Sequence, residues 1–127
     1  MKLRTTANSI RIRIRKSEIQ ELNEKRILSE TIRFTANQEL IFSLNIEDHK
    51  NSLSAEFTNN KINIYIPTKD AEHWINTDEV GLESHQPIVA NTSLHILIEK
   101  DFPCKDREDE DKKDTFWELA NQKGDLC

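Results

Sequence analysis

The sequence predicts an α+β domain: a mainly antiparallel sheet in the order β-α-β-β-β-β-α-β, with two short helices. Three observations carry this. Ile10, Ile12 and Ile14 alternate with Arg11, Arg13 and Arg15, the period of a half-buried strand. Alternation returns at Ile27 and holds through Ile66. Two stretches with helical spacing flank that block, one with Ile19 and Leu22, the other with Ala71, Trp74 and Ile75.

The elements follow in order. After the first strand, Ser17-Glu18-Ile19-Gln20 has the capping-box pattern that opens a helix. Residues 27–66 read as a four-stranded meander. Asn59-Asn60 suits a two-residue turn, because Asn tolerates positive φ, and it pairs Phe57 with Ile62 and Ala55 with Ile64. The loop at Glu47–Ser52 would pair Phe42 with Phe57 and Leu44 with Ala55. The turn at Ala36-Asn37-Gln38 would pair Phe34 with Leu40 and Ile32 with Phe42. All three registers turn one apolar face the same way. Thr68 then caps a second helix, residues 76–91 read as an extended loop, and Leu94, Ile96 and Ile98 mark a last strand. No internal repeat is read.

The chain has 127 residues, the size of one domain. Hydrophobic residues make up only 35% of it, so part of the chain is expected to be solvated. The expected division is a single α+β domain at 1–102 and a charged, acidic, unstructured tail at 103–127. Lys105 to Asp114 is an unbroken run of charged residues, with Phe116, Trp117 and Leu119 beyond it. No apolar run is long enough to span a membrane, and no signal sequence is read. Both cysteines, Cys104 and Cys127, fall in the tail, which excludes a disulfide scaffold and points to a reducing cytoplasm.

Charge is unevenly placed. Residues 1–16 carry six basic and no acidic side chains, whereas the whole chain is at −5. A net acidic chain argues against nucleic acid as partner. The arginine ladder is the sharpest chemical feature, since guanidiniums at ~6.6–7 Å spacing repel unless carboxylates or an anion answer them. Two readings stand side by side: a strand face satisfied by acids on a neighbouring strand, or a site for an anionic small molecule or an acidic protein surface. The candidate binding residues are Arg11, Arg13 and Arg15, joined by Arg33, Glu56 and Tyr65 on the polar face of the meander. The leading expectation is a binding or interaction module rather than an enzyme. The alternative is a divalent-metal-dependent enzyme acting on a phosphorylated small molecule, laid out like a triphosphate tunnel. Against it, the first strand carries no Glu-x-Glu-x-Lys.

No catalytic residue, metal ligand or cofactor is expected. The four histidines lack ligand spacing, and two glycines leave no phosphate-binding loop to build. Nothing in the sequence speaks to oligomeric state.

Asn8-Ser9-Ile10-Arg11-Ile12-Arg13 with Ser17-Glu18, the stretch Asn76-Thr77-Asp78-Glu79-Val80-Gly81-Leu82-Glu83, and Glu99-Lys100-Asp101-Phe102-Pro103-Cys104 together resemble a family of small uncharacterised bacterial proteins. The resemblance covers roughly residues 1 to 110. It implies a bacterial, cytoplasmic, stand-alone domain and assigns no site residues.

Overall fold

Four hairpins and two helices account for the described residues. The computed structural model describes residues 1–101; the tail expected at 103–127 lies outside the described residues. In chain order the elements are β1 (Lys2–Thr6), β2 (Ser9–Ile14), α1 (Lys16–Lys25), β3 (Ile27–Thr35) and β4 (Gln38–Glu47). Then come β5 (Ser54–Thr58), β6 (Lys61–Pro67), α2 (Thr68–Asn76), β7 (Gly81–Val89) and β8 (Thr92–Lys100). The α+β class holds, but the strands form two mixed sheets of four, ordered β1-β2-β8-β7 (sheet A) and β3-β4-β6-β5 (sheet B).

The meander is therefore corrected. Residues 27–67 do build one four-stranded sheet, yet β4 lies parallel to β6 and β5 stands at the edge. Phe57 pairs with Ile62 and Ala55 with Ile64, as read from the Asn59-Asn60 turn. The β3–β4 register differs by two residues: Ile32 faces Leu40 and Glu30 faces Phe42. A shift of two keeps every side chain on its face, so the alternation could not detect it. An irregularity between Arg33 and Thr35 absorbs the difference at the turn.

The chain is an internal repeat, contrary to the sequence reading. Each half is hairpin, helix, hairpin. Adding 52 to the residue numbers of the β1–β2 pairing gives the β5–β6 pairing, so that Leu3 opposite Ile12 becomes Ala55 opposite Ile64. Adding 54 carries β3–β4 onto β7–β8, and the irregularity at Arg33/Thr35 falls on that at Pro87/Val89. The parallel contacts obey the same rule: Ile10 beside Ile96 maps onto Ile62 beside Phe42. Asn8 and Asn60 both hold positive φ at equivalent turns. A pseudo-two-fold relation thus exchanges the sheets, each built from one hairpin of either half.

The inner faces of both sheets share one core. Ile12, Ile14, Ile96 and Ile98 come from sheet A, Phe42, Leu44, Ile64 and Ile66 from sheet B, all buried. Burying each such side chain stabilises by about 1.5–3 kcal/mol. Leu22 of α1 and Trp74 of α2, equivalent in the repeat, are fully buried in the same core. The Trp74 indole N–H donates to Val80 O at 3.1 Å, satisfying its polar end.

The sheets are joined along a seam. Ser84 Oγ donates to Leu53 O, and Gln86 clasps both backbone groups of Ala55. These contacts run β5 and β7 in the same direction, so the hairpin turns of both sheets point to one end of the molecule. The helices bridge the sheets at the other end. At the equivalent seam between β1 and β3, the Met1 ammonium donates to Glu30 and to Glu18.

Candidate functional site

Strand alternation puts Ser9, Arg11 and Arg13 on the outer face of sheet A once Ile10, Ile12 and Ile14 are in the core. The register adds Lys2 and Arg4 from β1, His95, Leu97 and Glu99 from β8, and Gly81, Glu83 and His85 from β7. Four cations, Lys2, Arg4, Arg11 and Arg13, gather on two adjacent strands. Arg4 and Arg11 are direct cross-strand partners. Like charges so placed are destabilising.

Glu99 answers part of this charge. Its Oε1 accepts from Arg11 Nε at 2.6 Å and from Arg13 Nε at 3.3 Å. Burial alone would raise the Glu99 pKa, but the hydrogen bonds and charges of Arg11 and Arg13 outweigh it and hold the carboxyl below the usual range. Gly81 stands opposite Glu99, and a Cβ there would meet Ile98 O at 2.6 Å. Glycine is required by that close approach, and it leaves Glu99 without a side chain opposite. Lys2 Nζ lies 3.4 Å from the Asp101 carboxylate. Arg4 is exposed and has no ion-pair partner among the described residues.

The same face changes character toward β7. His85 and His95 are cross-strand partners with rings stacked at 4.7 Å, and His95 Nε2 meets Glu83 at 2.9 Å. Among the described residues, no three His, Cys, Asp or Glu side chains are grouped to hold a metal ion.

The six residues expected to share a site are distributed over three places. Arg11 and Arg13 stand together on the outer face of sheet A. Arg15 is the residue before α1; its side chain is 70% exposed, and it faces Glu18 at 3.2 Å. Arg33, Glu56 and Tyr65 lie on the outer face of sheet B, which points away from sheet A across the shared core. Arg33 is 3.4 Å from Glu39. Glu56 faces Asn63, and Tyr65 carries Lys50 over its ring at 4.6 Å. Burial, with the charges of Glu56 and Glu47 behind it, pushes the Tyr65 phenol up. Sequence reasoning missed Lys2, Arg4 and Glu99. The signal for the first two was present as the basic stretch before Arg11, but without a recognised β1 they had no face to belong to.

Glu18 is the second organised carboxylate. It is buried, accepts from Arg15 N at 2.9 Å, and meets the Met1 ammonium. Burial opposes its ionisation, yet the bonds from Met1 and Arg15 prevail and set its pKa to about 2.

The outer face of sheet B shows what the repeat looks like without this charge. The positions equivalent to Arg4 and Arg11 are Glu56 and Asn63, and those equivalent to Arg13 and Glu99 are Tyr65 and Asn45. There, Ser43 Oγ donates to Asn63 and Asn45 donates to Ser43, a neutral network. Only sheet A concentrates cations. The two sheets do not close into a tunnel, and the arginines face outward from an open sheet.

No helix among the described residues is long and apolar enough to cross a membrane. No curated protein matches the chain. The sequence profile of a family of unknown function, DUF7009, matches residues 1–119, and the chain belongs to that family.

Proposed function

We propose that this protein is a binding module whose cationic sheet face, with Arg4 and Arg11 at its centre, docks on the acidic surface of a protein partner. One observation carries the reading: Arg4 and Arg11 are directly opposed like charges, and the equivalent positions of the repeat hold Glu56 and Asn63. A fold that can be built without opposed like charges there keeps such a pair, which an external carboxylate would relieve. The outer face of an unclosed sheet suits a macromolecular surface better than a small molecule, which is usually held in a concave pocket. The net charge of −5 disfavours nucleic acid. The cysteine usage fits a reducing cytoplasm, and the resemblance to small bacterial proteins supports a bacterial source.

Titration with a poly-glutamate peptide and, separately, with tripolyphosphate tests this. Binding of poly-glutamate that weakens steeply with salt supports the reading. Tripolyphosphate bound more tightly than poly-glutamate would favour a phosphate site, and no binding of either at low salt would overturn both.

A further inference from the structure

We infer that this protein pairs with a second copy of itself through the end of the molecule where the hairpin turns gather, with Phe57 and Ile88 at the centre of the contact. This surface is separate from the cationic outer face of sheet A, and the pairing leaves that face open.

The turn end is set apart by the absence of charge. Residues 5–9, 34–38, 57–60 and 88–93 form the four turns and the strand ends beside them, about twenty residues in all. They hold no Asp, Glu, Lys, Arg or His, although 32% of the chain is charged. At the opposite end, α1 alone carries five charged side chains. Depletion of charge together with aromatic enrichment is the composition of an interface core rather than of ordinary solvated surface.

The same end is apolar. The seam contacts of β5 and β7 advance in step, Leu53 with Ser84 and Ala55 with Gln86, and the next step brings Phe57 beside Ile88 at the tip. Phe57 is 69% exposed, Val89 69% and Ile88 52%. Phe34, equivalent to Ile88 in the repeat, is 66% exposed at the tip of the β1–β3 seam. Phe57 stands on the inward side of sheet B with its cross-strand partner Ile62. The helices bridge the sheets at their end, and no element among the described residues covers the space between the sheets here.

A second copy is the occupant that this surface fits. A neutral end gives an acidic or basic partner nothing to pair with, whereas a copy of the chain brings the same apolar, uncharged chemistry. The β7–β8 turn also lines a concavity of about 470 Å³, from Pro87 to Ser93. A projecting Phe57 next to a concavity makes the patch self-complementary. About a two-fold axis each copy's Phe57 enters the other's concavity, an isologous contact that closes at two subunits. The size is adequate: stable interfaces use about 20–30 residues a side and about 800 Å² per partner. Phe34 and Phe57, each two-thirds exposed, supply roughly 200–340 Å² of that.

Sedimentation velocity on the full chain, from micromolar to submillimolar concentration, tests the pairing. The wild type is expected to move from monomer to dimer across that range. Phe57→Asp and, separately, Ile88→Asp should each raise the dissociation constant about thirtyfold or more, since each removes an apolar anchor and places a charge in the contact. Both positions are exposed, so circular dichroism should report an unchanged fold, and either variant suffices if the other fails to fold. Hydrogen exchange adds the location: residues 57–60 and 88–93 should be protected in the dimer and lose that protection on dilution. A chain that stays monomeric throughout overturns the inference, as does a dimer that neither variant weakens. Turns protected equally at every dilution would show a different occupant and overturn it too.

Discussion

Arg11 Nε lies 2.6 Å from Glu99 Oε1, and the same oxygen is shared with Arg13 at 3.3 Å. One carboxylate from β8 thus bridges two guanidiniums of β2 across one of the two parallel pairs that join the halves of the repeat. Replacing it by the neutral Glu99→Gln removes the charge while keeping the shape. The expected cost is about 1–3 kcal/mol, because two cations on a half-buried face lose the negative charge that they share. The same variant should bind poly-glutamate more tightly, since the face gains a net positive charge. Urea denaturation and a binding titration on one preparation check both.

Gln86 holds the two sheets at the β5–β7 seam. Ala55 N donates to its Oε1 at 2.7 Å, and its Nε2 donates to Ala55 O at 2.9 Å. Gln86→Leu keeps the volume but leaves both backbone groups of an edge strand unpaired. A loss of about 1–3 kcal/mol is expected, with earliest hydrogen exchange in β5. Exchange measured by mass spectrometry should show residues 54–58 losing protection ahead of β6.

Acid should loosen the fold through two carboxylates. Glu18 titrates at about 2 in the folded chain against an ordinary value of 4.5, and Glu99 is shifted in the same direction. A carboxylate with a depressed folded pKa stabilises above its ordinary value and loses that contribution as pH falls through the folded one. Urea midpoints should therefore decline from about pH 4.5 toward pH 2. Glu18→Gln should flatten that decline. A variant with an unchanged slope would show that the Met1 and Arg15 contacts do not favour the ionised form.

Much of the fold was legible, and the failures have physical causes. The inward set Phe42, Leu44, Ile46, Ile62, Ile64 and Ile66 was readable because alternation alone decides which face is buried. The pairing partner was not: Phe42 sits equally well beside Ile62 in a parallel ladder or beside Phe57 in a meander. β1 escaped notice because Lys2-Leu3-Arg4-Thr5-Thr6 holds one apolar residue, and β7 because Glu83 to Pro87 reads as loop. The repeat was visible in Asn-x-Ile-x-Ile-x-Ile at 8–14 and 60–66, and in Ala-Asn-x-x-Leu at 36–40 and 90–94. It was obscured because the two motifs recur at different steps, 52 and 54 residues. Missing it merged two sheets into one, which is why Arg33, Glu56 and Tyr65 were grouped with Arg11 and Arg13. Of the arginine ladder, Arg11 and Arg13 stand on a strand face and Glu99 supplies the acid that such a face requires, whereas Arg15 falls past the end of β2 as the residue before α1.

The central claim is that the cationic face is held for binding at a cost to the fold, and Arg4→Ala tests it most directly. Arg4 is exposed, faces Arg11, and makes no ion pair among the described residues. Relief of an opposed like-charge pair should stabilise the domain by roughly 0.2–1 kcal/mol. At that size the shift in melting temperature is small and positive, about 1–6 °C for a domain near 100 residues. The account predicts this rise together with a severalfold loss of affinity for poly-glutamate at low salt. A lowered melting temperature with unchanged affinity would contradict it.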